Sequence, residues 1–412
     1  MASILLSNGN VINGTADTPL GERNVLVTSG RIAEISDSAI KKPAECLEID
    51  LAGRTLMPGL IDAHVHVTAT TLNLGQMGSS PMSYTSQQAR EIMEGMLVRG
   101  FTTVRDAGGA DFGLARAVET GLIKGPRLFF SGKALSQTGG HGDFRRLTLE
   151  VDSCACASLG AELAQIADGV PDVQKAARNE LRRGANQIKI MGSGGVASPR
   201  DPVWNLQYSE DEIRAIVWEA TSWRTYVMAH CYTPEAISRA VSFGVRSIEH
   251  GNLLDAPTAA LMAESNAILV PTLVTYEALH RHGVDYGMPE VSMGKLRDVR
   301  DAGLRSLEIA KAAGVPTVYG TDLLGETHHY QSLEFSIRGE VLSAMELIKS
   351  ATGLNADLLQ REGELGVIAA GAIADMIVVD GDPLRDLNLL QEQGKHLSLI
   401  MKGGQLFKNE LN

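Results

Sequence analysis

Between residues 56 and 325, short apolar runs alternate with helical patterns, and the alternation supplies eight strand candidates. These are LMPGLIDAHVHV (56–67), FTTVRDAGG (101–109), RLFFSGKAL (127–135), QIKIMGSGG (187–195), YVMAHCY (226–232), RSIEHGN (246–252), AILVPTL (267–273) and VPTVYGTD (315–322). The helices between them have readable starts. Ser209 and Glu212 form a capping-box pattern ahead of Ile213, Ile216, Val217 and Ala220 at helical spacing. Thr85 and Gln88 repeat that signature, and Thr233 followed by Pro234 reads as an N-cap with proline at the first helical position. Eight βα units over this length predict an α/β chain folded as a (β/α)₈ barrel.

The two ends read differently. Residues 1–55 contain alternating runs separated by Asn-Gly and Ser-Gly signals, which predict β-hairpins, and residues 362–412 return to strands. Each piece is short for a core of its own, so both termini are expected to build one small β-sandwich-like domain beside a barrel at 56–361. A net charge of −12 argues against a nucleic-acid or anionic-membrane surface. The first residues, MASILLSNGNVING, have no basic stretch of the secretory kind, and no run approaches the roughly 18 apolar residues of a membrane span. Cys46, Cys154, Cys156 and Cys231 show no CxxC spacing and read as reduced thiols. The expectation is a soluble cytoplasmic protein without membrane or nucleic-acid partners.

In such barrels, functional groups sit at the C-terminal ends of the strands. His64 and His66 stand two apart at the end of the first, where strand geometry puts both on one face. One interior histidine is ordinarily a hydrogen-bonded core residue; an HxH pair at a strand end favours metal ligation. His230, His250 and Asp322 occupy the corresponding ends of the fifth, sixth and eighth candidates. Lys189 lies between Ile188 and Ile190 on the fourth, so alternation turns it inward with Met191. A buried lysine needs a reason, because desolvating its ammonium is costly. Either it is neutral or paired with Asp322, or its amine has reacted with carbon dioxide to give a carbamate, an anionic ligand able to bridge two metals.

These segments, GLIDAHVHV, IKI, AHCY, EHG and YGTD, together with GAIADMIVVDGDPL near the C-terminus, resemble the metal-dependent amidohydrolase superfamily over nearly the whole chain. The resemblance implies two divalent ions, zinc foremost: His64, His66 and Asp322 on one, His230 and His250 on the other, and carboxylated Lys189 between. Thr233 stands where nucleobase deaminases carry glutamate, and Lys189 weakens an imidazolonepropionase-like mononuclear reading. TGGHGD (138–143), KIMGSGGVASP (189–199) and AHCYT (229–233) look most similar to a prolidase-like dipeptidase branch.

The expected reaction is attack of a metal-held hydroxide on the amide of a dipeptide or N-acyl amino acid, Xaa-Pro substrates first. Asp322 is expected to shuttle the proton, and His141 to bond the carbonyl oxygen as charge develops. Tyr232 is expected to hold the carbonyl or the substrate carboxylate, with Arg200 a weaker carboxylate clamp. A cyclic-amide hydrolase of dihydroorotase, hydantoinase or imidazolonepropionase type is the alternative enzyme, and a metal-free structural relative the non-enzymatic one. By analogy with such barrels, a homo-oligomer is expected.

Overall fold

The computed structural model describes residues 3–145, 163–198, 200–288 and 290–411. Cys154 and Cys156 lie outside the described residues; Cys46 and Cys231 are free thiols. Seven parallel strands follow the expected barrel order: Leu60–Val65, Phe101–Asp106, Arg127–Phe130, Ile188–Met191, Val227–Cys231, Ser247–His250 and Ile268–Val270. The eighth position is an extended segment rather than a regular strand, yet it bonds to both sides. The Leu269 N–H donates to the Pro316 carbonyl and the Val318 N–H to Leu269; on the other side the Ala63 N–H donates to Tyr319 at 2.8 Å. Between the third and fourth strands the Asn186 N–H donates to Phe130 at 2.8 Å. Those bonds join the ring into a (β/α)₈ barrel.

Strand alternation sorts the side chains as expected on the fourth strand. Ile188 and Ile190 join the core between strands and helices with Ala177, Leu181, Ile213 and Ile216, while Lys189 and Met191 face the cleft at the barrel mouth. The capping box at Ser209 and the Thr233 cap both form. Thr85 does not cap. Its helix starts earlier, at Met82–Val98, because Pro81 supplies the extended N-cap, and Thr85 is buried one turn inside.

The 56–67 run divides in two. Thr55–Pro58 joins a terminal sheet, and Leu60–Val65 enters the barrel after Gly59, where a Cβ would lie 2.1 Å from Thr102 Oγ1. That terminal sheet has eight strands: Gln405–Asn409, Leu397–Lys402, Met376–Val379, Thr55–Pro58, Ile4–Val11, Gly21–Thr28 and Arg31–Ser36 in spatial order, with Leu47–Asp50 alongside Ile4–Val11. Its two faces serve different cores. Met376, Val378, Leu399 and Met401 pack with Ile4, Leu6, Val25 and Val27, whereas Ile377, Val379 and Ile400 pack with Met93, Met96 and Leu97 of the barrel helix. Ser29-Gly30 is a hairpin turn with both φ angles positive, as expected, but Asn8-Gly9 is a bulge inside Ile4–Val11. No described helix is long and apolar enough to cross a membrane.

Candidate active site

His64, His66, His141, Lys189, His230, Tyr232, His250 and Asp322 all line one cleft at the mouth of the barrel. The alternation of the first and fifth strands accounts for His64, His66, His230 and Tyr232. His250 and Asp322 arrive by a different route. In Ser247–His250 the inward face belongs to Ser247 and Glu249, so regular strand geometry would send His250 toward the helices. Its φ of +75° turns the chain and brings it into the mouth, and Asp322 has a φ of +52°. Such left-handed backbone at non-glycine residues is strained and concentrates at functional sites.

The ring nitrogens are set by their outer partners. His64 Nδ1 is 2.5 Å from Glu249 Oε2, His66 Nδ1 is 2.9 Å from the Gly108 carbonyl, and His230 Nε2 is 3.1 Å from the Gly194 carbonyl. Each partner can only accept, so in the neutral ring each of those nitrogens carries the proton. The other nitrogen of each ring is then left with a lone pair, the form that binds a metal. His64 Nε2 is buried and has no hydrogen-bond partner. His64, His250 and Asp322 present ligand atoms all within 4.8 Å of one another, a grouping that can hold a metal ion. Asp322 Oδ1 lies 3.3 Å from His64 Nε2 and 3.2 Å from His66 Nε2. Burial alone would raise the Asp322 pKa; the surrounding imidazoles hold it well below the usual carboxylate range. The donor set fits a divalent cation.

Lys189 is buried beneath these rings, and burial lowers its pKa although Glu249 and Asp322 oppose the shift. Among the described residues no carboxylate comes within ion-pair distance of it, so the Lys189–Asp322 pair does not form. His141 stacks on His230 with ring centroids 4.2 Å apart, and its Nδ1 is 2.9 Å from Ser198 Oγ. Burial pushes His141 down to about 3, so it is neutral. Tyr232 Oη accepts from Tyr276 Oη at 3.0 Å, which leaves its own proton available. Arg200 does not join them. It is exposed, outside the cleft lining, with Nη1 3.5 Å from the Arg145 carbonyl.

Three residues that sequence reasoning passed over support or line this centre. Arg105, fully buried, donates from Nη2 to both Glu249 oxygens at 3.0 and 3.1 Å and from Nε to the Ala63 carbonyl at 2.6 Å. Glu249 in turn fixes His64. Tyr276 extends the wall beyond Tyr232. The signals are Glu249 inside EHG and Arg105 within the buried strand Phe101–Asp106, but neither residue type announces a partner.

Apart from Thr275, the remainder of the cleft wall is apolar, with Leu74, Phe144, Leu163, Val196, Leu279 and Leu324 among its residues. The model of the Amidohydrolase family matches residues 55–406. The chain belongs to the amidohydrolase family. A solved prolidase in complex with N-methylphosphonate-L-proline matches this amidohydrolase with a TM-score of 0.97 at 50% identity, over 99% of this chain and 100% of that one. A Xaa-Pro dipeptidase with methionine bound in its active site matches with a TM-score of 0.88 at 29% identity, over 99% and 100% of the two chains. The ochratoxinase of Aspergillus niger is 34% identical over 366 residues, covering 86% of this chain and 75% of that protein. The likenesses fall in the prolidase-like branch that the strand-end motifs suggest.

Proposed function

We propose that this amidohydrolase cleaves the amide bond of dipeptides or N-acyl amino acids, with Xaa-Pro dipeptides the first substrates to test. The observation that carries the reading is the convergence of His64, His66, His230, His250 and Asp322 on one cleft around buried Lys189. The likeness to a prolidase that holds N-methylphosphonate-L-proline supports the substrate class. The apolar wall suits an uncharged side chain on the substrate.

His64, His66 and Asp322 would hold one divalent ion, His230 and His250 a second, and Lys189 would contribute a carbamate oxygen to each. Bound divalent ions, zinc foremost, supply Lewis-acid polarisation and a more acidic attacking water. Burial favours the neutral Lys189 amine, and only that form adds to carbon dioxide: its lone pair forms the N–C bond and one proton is released. Asp322, held as a carboxylate, accepts a proton from the attacking water and returns it to the departing nitrogen. Neutral His141 and the Tyr232 hydroxyl donate to oxygens of the substrate, His141 to the carbonyl oxygen as it gains charge. Arg200 has no part in this arrangement. The free thiols of Cys46 and Cys231 accord with a reducing, cytoplasmic setting.

A panel of Xaa-Pro, Xaa-Phe and Xaa-Arg dipeptides and N-acyl amino acids, assayed beside dihydropyrimidine and hydantoin rings, tests the reading. Turnover is expected on the linear amides. Turnover confined to the rings would replace the peptidase reading with the cyclic-amide one.

A further inference from the structure

The loop after the fourth barrel strand carries a chain of polar contacts that ends at His141 and begins on a distant helix. Lys295, in the helix Glu290–Ala313, reaches the loop and donates to three backbone carbonyls: Gly195 at 3.1 Å, Ser198 at 2.7 Å and Asp201 at 2.6 Å. An ammonium has three protons, so its hydrogen-bonding capacity is used entirely on this loop. Ser198 is buried, and its hydroxyl oxygen lies 2.9 Å from His141 Nδ1 and 3.5 Å from the Gly195 carbonyl. It has a single proton to give. At 3.5 Å the Gly195 carbonyl is at the outer limit of a hydrogen bond, and Lys295 bonds the same oxygen more closely at 3.1 Å. The shorter contact directs the Ser198 proton to Nδ1, and the proton of the neutral ring then sits on Nε2.

We propose that Lys295 and Ser198 are positioning residues that fix His141 in its Nε2-protonated tautomer, so that the ring presents a donor, not a lone pair, to the substrate carbonyl oxygen. The inference rests on the role given to His141 above. The backbone enforces the same placement. A Cβ on Gly195 would lie 2.2 Å from His141 Cε1 and 2.5 Å from Nδ1, so the ring is clasped between the Gly195 backbone and the His230 ring. Among the described residues Nε2 has no protein partner of its own. With the opposite tautomer Nε2 would offer a lone pair to a developing negative charge, and the contact would repel.

The test is a double-mutant cycle on the metal-loaded enzyme, with kcat, KM and metal content measured for each variant. Ser198→Ala should lower kcat about tenfold, the size of one neutral hydrogen bond, with KM and metal content unchanged. Ser198→Thr, which keeps a hydroxyl, should retain most of the wild-type kcat. Lys295→Met should lower kcat by a similar factor because the loop that carries Ser198 loses its three-bond anchor. In a His141→Ala background neither Ser198→Ala nor Lys295→Met should reduce kcat further, because what they position is gone. An equal additional loss in that background means that the loop matters for some other reason, and overturns the proposal. So does a normal kcat for Ser198→Ala beside a slow His141→Ala, which leaves the role of His141 intact. A normal kcat for His141→Ala overturns the earlier assignment itself. Should Lys295→Met fail to fold, the Ser198 variants decide alone.

Discussion

On one wall of the cleft His64 is gripped by Glu249, and Glu249 by Arg105, all three fully buried and bonded to each other or to barrel backbone. On the other wall His141 is held by a serine on a loop, and that loop is pinned by the half-buried Lys295 through backbone carbonyls alone. The first arrangement places ionised groups in the low-dielectric barrel, where losing one partner strands the other's charge. The second uses neutral bonds and one cation near solvent. A centre that must hold cations wants fixed, basic imidazoles, which a buried carboxylate provides. A group that meets substrate needs only its direction fixed. The difference predicts that damage to the first wall is felt as lost stability and lost metal, and damage to the second as slower turnover.

The sharpest break of that comparison is Arg105→Leu. It should strand the Glu249 carboxylate and cost about 3–5 kcal/mol of folding stability, the usual result of removing one partner of a buried pair. Urea unfolding measures it, and a loss below roughly 1 kcal/mol would place Arg105 among ordinary surface ion pairs. Next comes His141→Ala, expected to lower kcat by about 10²–10³ with metal content unaltered, the range for losing one oxyanion donor. Concurrent loss of metal would erase the distinction between the walls. Glu249→Gln keeps shape and removes charge, and should weaken metal affinity about 10–100-fold, read by competition with a chelator. Arg200→Ala, at an exposed site outside the cleft, should leave kcat/KM and Tm unchanged within error. A large rise in KM there would bring Arg200 back as a carboxylate clamp.

Legibility from sequence followed how far each residue obeys a local rule. His64, His66, Lys189, His230 and Tyr232 follow strand alternation, and a period of two is enough to put them in one mouth. His250 and Asp322 are legible by their place at strand ends, but the positive φ angles that admit them have no sequence signature outside glycine. Asn8-Gly9 shows the converse: a strong turn signal became a bulge because its strand continues to pair on both sides of it. At VPTVYGTD the apolar run predicts a strand, whereas the extended segment found there bonds irregularly to both neighbours, which depends on ring closure, a property of the whole barrel. Arg105, Ser198 and Lys295 act through contacts across 144, 57 and up to 100 residues of sequence, which no local pattern encodes.

The central claim is that Lys189 serves the site as an anionic bridge and not as a base, and metal analysis of three proteins purified side by side tests it most directly. Wild type, isolated without chelators, should carry close to two divalent ions per chain. Lys189→Ala should lose metal and activity together, and Lys189→Arg should be equally inactive because a guanidinium keeps its charge. Should Lys189→Ala retain both ions and lose only turnover, Lys189 is a buried general base and the bridge does not exist.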